Sequence, residues 1–97
     1  MANESKFQTA AKDALFDAIL SLEDRDECYR FFEDIMTIKE LQDISQRWQV
    51  ATLLSEGKTY SYIVSETGAS AATISRVNKS LNYGNGSYKD ILEKLGK

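Results

Sequence analysis

The stretch from Tyr60 to Leu81 reads YSYIVSETGASAATISRVNKSL, and the fold turns on how it is read. Ile63 and Val64 sit in one short helical segment. Gly68 and Ala69 make a turn, and a second segment carries Ile74, Val77 and Leu81 at three- and four-residue steps. Helix, tight turn, helix is the layout of a helix-turn-helix. Gly68 has no Cβ and can take a positive φ, so the chain can reverse within three or four residues. Ser70 is a suitable N-cap for the second segment. The outward face of that segment holds Ala71, Ala72, Thr73, Ser75, Arg76 and Lys79. Small side chains let a helix lie deep in a DNA major groove, while Thr, Ser and Arg reach base edges and phosphates. The plainer reading of the same residues is a helical corner with a solvated face.

Around this stretch lies a chain of 97 residues with no Pro, no His and one Cys. The length suits a single domain, 1–97, with a small core. An all-α fold with short connections follows from the missing Pro and the few Gly. Cys28 has no partner for a disulfide and reads as a small buried hydrophobe. One Cys without His argues against a zinc site, so no metal and no cofactor are expected. The absence of a long apolar run points to a soluble cytoplasmic protein with no membrane partner. The chain has no catalytic constellation of His with a nucleophile or paired acids, and no Gly-rich loop after a strand, so enzymatic activity is not expected.

Net charge is −3, but it is unevenly spread. Residues 1–56 hold six basic and twelve acidic side chains, whereas residues 57–97 hold six basic and three acidic. The half with the helix-turn-helix is therefore the basic half, which suits a polyanionic partner.

Six helices can be placed. The first spans 5–22, with Phe7, Ala11, Ala14, Leu15, Ala18 and Leu22 on its apolar face, and residues 1–4 read as frayed ahead of it. The second starts near Asp24, where Asp24 and Glu27 resemble a capping box, and carries Tyr29, Phe31, Phe32, Ile35 and Met36. That aromatic load suits either core packing or a subunit contact. Thr37 and Glu40 form a second capping box, and a third helix runs to about Glu56 with Leu41, Ile44, Trp48, Ala51 and Leu54 or Ser55 facing inward. Gly57 ends it, and Thr59 or Ser61 caps the next. After the turn-rich NYGNG run, Ser87 caps a last helix with Ile91, Leu92 and Leu95 as its apolar face. The expected division is 5–56 for core and dimerisation helices, 59–81 for the helix-turn-helix and 87–95 for the C-terminal helix.

The segments MTIKELQDISQRWQVATLLSEGKTY and TGASAATISRVNKSL, with the NYGNGSY run that follows, resemble the Trp repressor-like proteins of the YerC/YecD type. The resemblance covers about Met36 to Leu81 and is most specific in the second segment. It implies an all-α fold of six helices and an intertwined homodimer. It also implies that Ala71, Ala72, Thr73 and Ser75 meet base edges, directly or through water. Arg76 matches an arginine that stacks on the tryptophan corepressor of the repressor itself, and Ser80 matches a serine lining that pocket. Gln46 stands where the family has a second pocket arginine, and Val77 where it has a glycine. Basic groups of the family's first motif helix are replaced by Ser61 and Val64.

These observations lead to one expectation: a dimeric regulator of transcription that binds double-stranded DNA. Ser70 and Ala71 to about Leu81 enter the major groove, with Thr73 and Ser75 reading bases and Arg76 a base or phosphate. Lys58 and Lys79 hold phosphates. A ligand pocket, if present, involves Gln46, Arg76, Val77 and Ser80, but its altered walls argue against tryptophan as corepressor. The alternative is a helical protein-interaction module that has lost DNA binding.

Overall fold

The structure, a computed structural model, describes residues 5–96; the expectation of a frayed segment at 1–4 falls outside them. Six helices and no strand occur among the described residues: α1 (Ala10–Leu20), α2 (Arg25–Ile35), α3 (Ile38–Ser55), α4 (Tyr60–Thr67), α5 (Ala71–Tyr83) and α6 (Ser87–Lys94). None is long and apolar enough to cross a membrane. The chain divides into two compact units between Thr37 and Ile38.

The first unit holds α1 and α2. Helix α1 begins five residues later than its apolar pattern implies. The Thr9 hydroxyl accepts the Lys12 N–H at 3.1 Å and Lys12 Nζ donates to the Phe7 carbonyl at 2.8 Å, so the helix nucleates at this cap. Phe7, counted above on the helical face, precedes the helix and is exposed. The helix also stops at Leu20, and the N–H groups of Ser21 and Leu22 close short turns onto Ala18 and Ile19. Helix α2 starts where expected. Asp24 accepts the Glu27 N–H at 2.8 Å, while the Glu27 carboxylate reaches one residue further back, to the Glu23 N–H at 2.9 Å. Phe31 and Phe32 are both half-buried and meet edge to face with centroids 5.3 Å apart. Cys28 is half-buried rather than buried. No described residue of this unit is buried, and Leu20 is 81% exposed.

The second unit holds the core. Val50 and Ala51 of α3, Ile63 of α4, Ala69 of the turn, and Ile74 and Val77 of α5 form one buried cluster, with Leu53, Leu54 and Tyr88 packed on it. Burying Ile63, Ile74 or Val50 contributes roughly 1.5–3 kcal/mol each. The inward face of α3 differs from the single stripe expected. Val50 is fully buried and Ile44 is 38% exposed, because α3 packs against both α4 and α5 and its buried arc widens towards its C-terminal half. Helix α3 ends in a hydrogen-bonded reversal: the Gly57 N–H reaches the Leu54 carbonyl and the Lys58 N–H the Leu53 carbonyl, with φ +81° at Gly57.

Helix α6 packs on α5, and its Tyr88 stacks on Trp48 of α3 with centroids 6.0 Å apart. Trp48 is thus half-buried and covered by a ring, not sunk in the core. Ser87 is not the cap of α6. Gly86, at φ +86°, holds the position before the helix, and Ser87 is already its first residue. Only Leu92 of the expected apolar face is buried; Ile91 and Leu95 are exposed.

Gly68 sits at φ +72°, and apart from its chain neighbours no atom lies within 4 Å of where its Cβ would be. An added methyl group therefore strains the backbone and nothing else. Gly68→Ala should lower stability by about 1–2 kcal/mol, with Gly68→Asn milder because Asn tolerates the left-handed region. A urea titration showing a lower midpoint at unchanged slope checks this.

Candidate nucleic-acid interface

Helices α4 and α5 are joined by three residues, Gly68, Ala69 and Ser70. Each end of this reversal is closed by a specific bond. Thr59 caps α4 by accepting the Tyr62 N–H at 3.1 Å, and the Gly68 N–H closes it on the Val64 carbonyl at 2.9 Å. Ser70 then caps α5 by accepting the Thr73 N–H at 3.1 Å, and the Ser70 and Thr73 hydroxyls lie 3.1 Å apart. Ala69 is the middle of the turn and is buried in the core cluster. A side chain larger than methyl there would lift the turn from α3.

Helix α5 divides cleanly. Ile74, Val77 and Leu81 are buried. Ala71, Ala72, Ser75, Arg76, Lys79 and Ser80 are exposed, and Thr73 is half-buried beside the cap. Ala72, Ser75, Arg76 and Lys79 follow at steps of three, one and three, so they share one outward stripe. Helix α5 contains no carboxylate, and Glu66 is the one acid between Gly57 and Lys89. Arg76 and Lys79 pair with no carboxylate among the described residues, so their charge is offered to solvent. Lys58 stands apart from this stripe, one residue ahead of the α4 cap, with Nζ 5.2 Å from the centroid of the Tyr62 ring. An exposed cation over a ring contributes about 0.5–1 kcal/mol, enough to orient the lysine without fixing it.

A helix held by one apolar edge, small near its start and basic further along, meets the shape and charge of a DNA major groove. Comparison with known proteins gives the family and the fold. The family model for the Trp repressor protein matches residues 10–96. This chain belongs to the Trp repressor family. The YerC protein of Bacillus subtilis (strain 168), itself uncharacterised, is 57% identical over 83 residues, which are 86% of this chain and 80% of YerC. A crystal structure of a candidate Trp repressor from Staphylococcus aureus superposes with a TM-score of 0.91 at 51% identity, covering 99% of this chain and 96% of that one. A TrpR-like protein from Eubacterium eligens ATCC 27750 gives the same TM-score at 57% identity, with 94% of each chain covered. The six-helix, strand-free arrangement is therefore a Trp repressor-like fold.

The four residues that the family resemblance associates with a ligand are differently used. Arg76 and Ser80, four residues apart, are exposed on α5. Val77, one position on, is 2% exposed and part of the core cluster. Gln46 is half-buried on α3, and its Nε2 donates to the Thr67 carbonyl at 3.1 Å. By sequence Gln46 reads as either a solvent-facing or an inter-helix group, and this bond makes it the second, though its partner could not be named. Gln46 lies four residues before Val50, and so on the inward side of α3. Ala69 was likewise read as turn and not as core, because a lone alanine carries no periodicity.

Proposed function

We propose that this Trp repressor family member is a dimeric, sequence-specific DNA-binding regulator of transcription that does not use tryptophan as corepressor. The observation that carries the reading is α5: three buried aliphatic residues on one side, and a small, basic, carboxylate-free stripe on the other. In this reading Ser70, Ala71, Ala72, Thr73 and Ser75 approach base edges, Arg76 a base or phosphate, and Lys58 and Lys79 phosphates.

Dimerisation is supported by the first unit, whose apolar residues are not buried within the chain. Phe7, Phe16, Leu20, Tyr29 and Ile35 are all more than half exposed. A second copy would cover them, and two-fold symmetry would set two recognition helices about 34 Å apart, one turn of DNA. The whole chain, 1–97, then acts as a single functional domain, with 5–56 supplying core and dimer contacts, 59–81 the DNA contacts and 87–95 a supporting helix. Sedimentation at micromolar concentration should give a species of twice the chain mass; a clean monomer would refute the dimer.

Few cations are available per subunit, so few phosphates are neutralised. Two or three contacts per subunit predict a shallow salt dependence, with roughly 4–6 counterions released per dimer. On duplexes selected from a random pool, Arg76→Ala should weaken binding by ~1–3 kcal/mol. If Arg76→Ala and Lys79→Ala both leave affinity unchanged, the recognition surface lies elsewhere. Failure of the wild type to select any duplex would favour a protein-interaction module.

Tryptophan needs a flat slot and a partner for its carboxylate. Val77 fills core volume with two methyl groups, and the Gln46 amide, a neutral donor, is already bonded to Thr67. Overfilling costs ~1–3 kcal/mol and a missing charged hydrogen bond about 1.5–3 kcal/mol. Calorimetric titration of L-tryptophan into the free protein should show no micromolar site, and DNA affinity should not respond to it.

A further inference from the structure

The angle between α4 and α5 is set by the backbone of three residues, and one of them is Gly68, which has no side chain and sits at φ +72°. A turn containing the most permissive residue needs order from its neighbours. The bonds around Thr67 supply it. The Thr67 hydroxyl donates to the Ile63 carbonyl at 2.7 Å and accepts the Ala69 N–H at 3.0 Å. The Thr67 carbonyl is one of those that end an α-helix without an intrahelical partner, and Gln46 Nε2 donates to it at 3.1 Å. Gln46 and Thr67 are 21 residues apart in sequence, so this bond ties α3 to the turn, where the other two stay within it.

We propose that Gln46 is a positioning residue whose side-chain amide latches the α4–α5 turn to α3 and thereby fixes the pose of α5 in the free protein, without a ligand. The proposal rests on the DNA-binding reading for its functional consequence. A path of hydrogen bonds runs from Gln46 through Thr67 to the N–H of Ala69, and the next residue, Ser70, caps α5 at Thr73. Loss of the first link frees the turn to sample other angles. The fraction of molecules with α5 in the binding pose then falls, and the apparent dissociation constant rises by the inverse of that fraction. Gln46 need not touch DNA for this to happen.

The test compares the full-length wild type with Gln46→Met, which keeps the length but loses the donor, and Gln46→Lys, which restores a donor. Native-state hydrogen exchange of Gln46→Met should be roughly two- to tenfold faster at the Ala69 and Thr73 amides, the range expected for one neutral hydrogen bond. Exchange at Ala51 and Leu92 should not change, and Gln46→Lys should return the turn towards wild-type rates. On a duplex selected by the wild type, Gln46→Met should bind more weakly by a similar factor, with the same sequence preference and the same salt slope. Uniformly faster exchange, or none at Ala69 and Thr73, overturns the latch. Faster exchange at the turn with unchanged affinity overturns its role in DNA binding. A changed sequence preference would make Gln46 a base contact instead. If the wild type selects no duplex, the DNA-binding reading fails by itself, and the exchange data still decide the latch.

Discussion

Everything in the second unit depends on the close approach of α5 to α3, sealed by Ala51 and Val50 on one side and Ile74 and Val77 on the other. Interiors pack as densely as organic crystals, so the size of each of these side chains is felt by its neighbours. Ala51 is small enough to let the helices close, and Val77 adds its two methyl groups to the same cluster. Ala69 brings the turn itself into the same cluster. Helix α5 is thus anchored along its length and at its start by one continuous apolar surface.

That anchoring decides what α5 can offer. With Ile74, Val77 and Leu81 committed inward, the residues at intervening positions must face out, and they are small, hydroxylic or basic. The N-terminal half of the chain holds twelve of the fifteen acidic side chains. Helix α5 itself carries no carboxylate, so its outward face is locally basic despite the net charge of −3. Electrostatics here is a matter of distribution along the chain, not of its total.

The two units solve the problem of small size differently. Residues 38–96 make a compact cluster of aliphatic side chains sealed by the Trp48–Tyr88 stack. The described residues before them are capped and hydrogen-bonded in local detail, yet none is buried. Helix formation in that unit is directed by Thr9 and Asp24, while its apolar surface stays available. Local signals can define a helix; burial of its apolar face needs a partner surface of matching area.

The sequence alone determined the helix count, the helix-turn-helix, the Asp24 and Ser70 caps, and the inward side of α5, and it narrowed the α4 cap to Thr59 or Ser61, because each follows from local chemistry or from a 3.6-residue period. It placed the start of α1 and the cap of α6 wrongly: a continuous apolar pattern runs past Thr9, and a serine beside a glycine looks like a cap until the glycine takes a positive φ. The outward-facing residues of α5 were also legible, as what remains of the helix once its apolar edge is assigned. Tertiary structure decided the rest. Val50 became core and Ile44 did not, because α3 meets two helices at once. Ala69 was buried by a turn no pattern describes, and Gln46 found the Thr67 carbonyl across 21 residues. Periodicity reports which way a side chain points along its own helix; only the crossing of helices decides what it meets there.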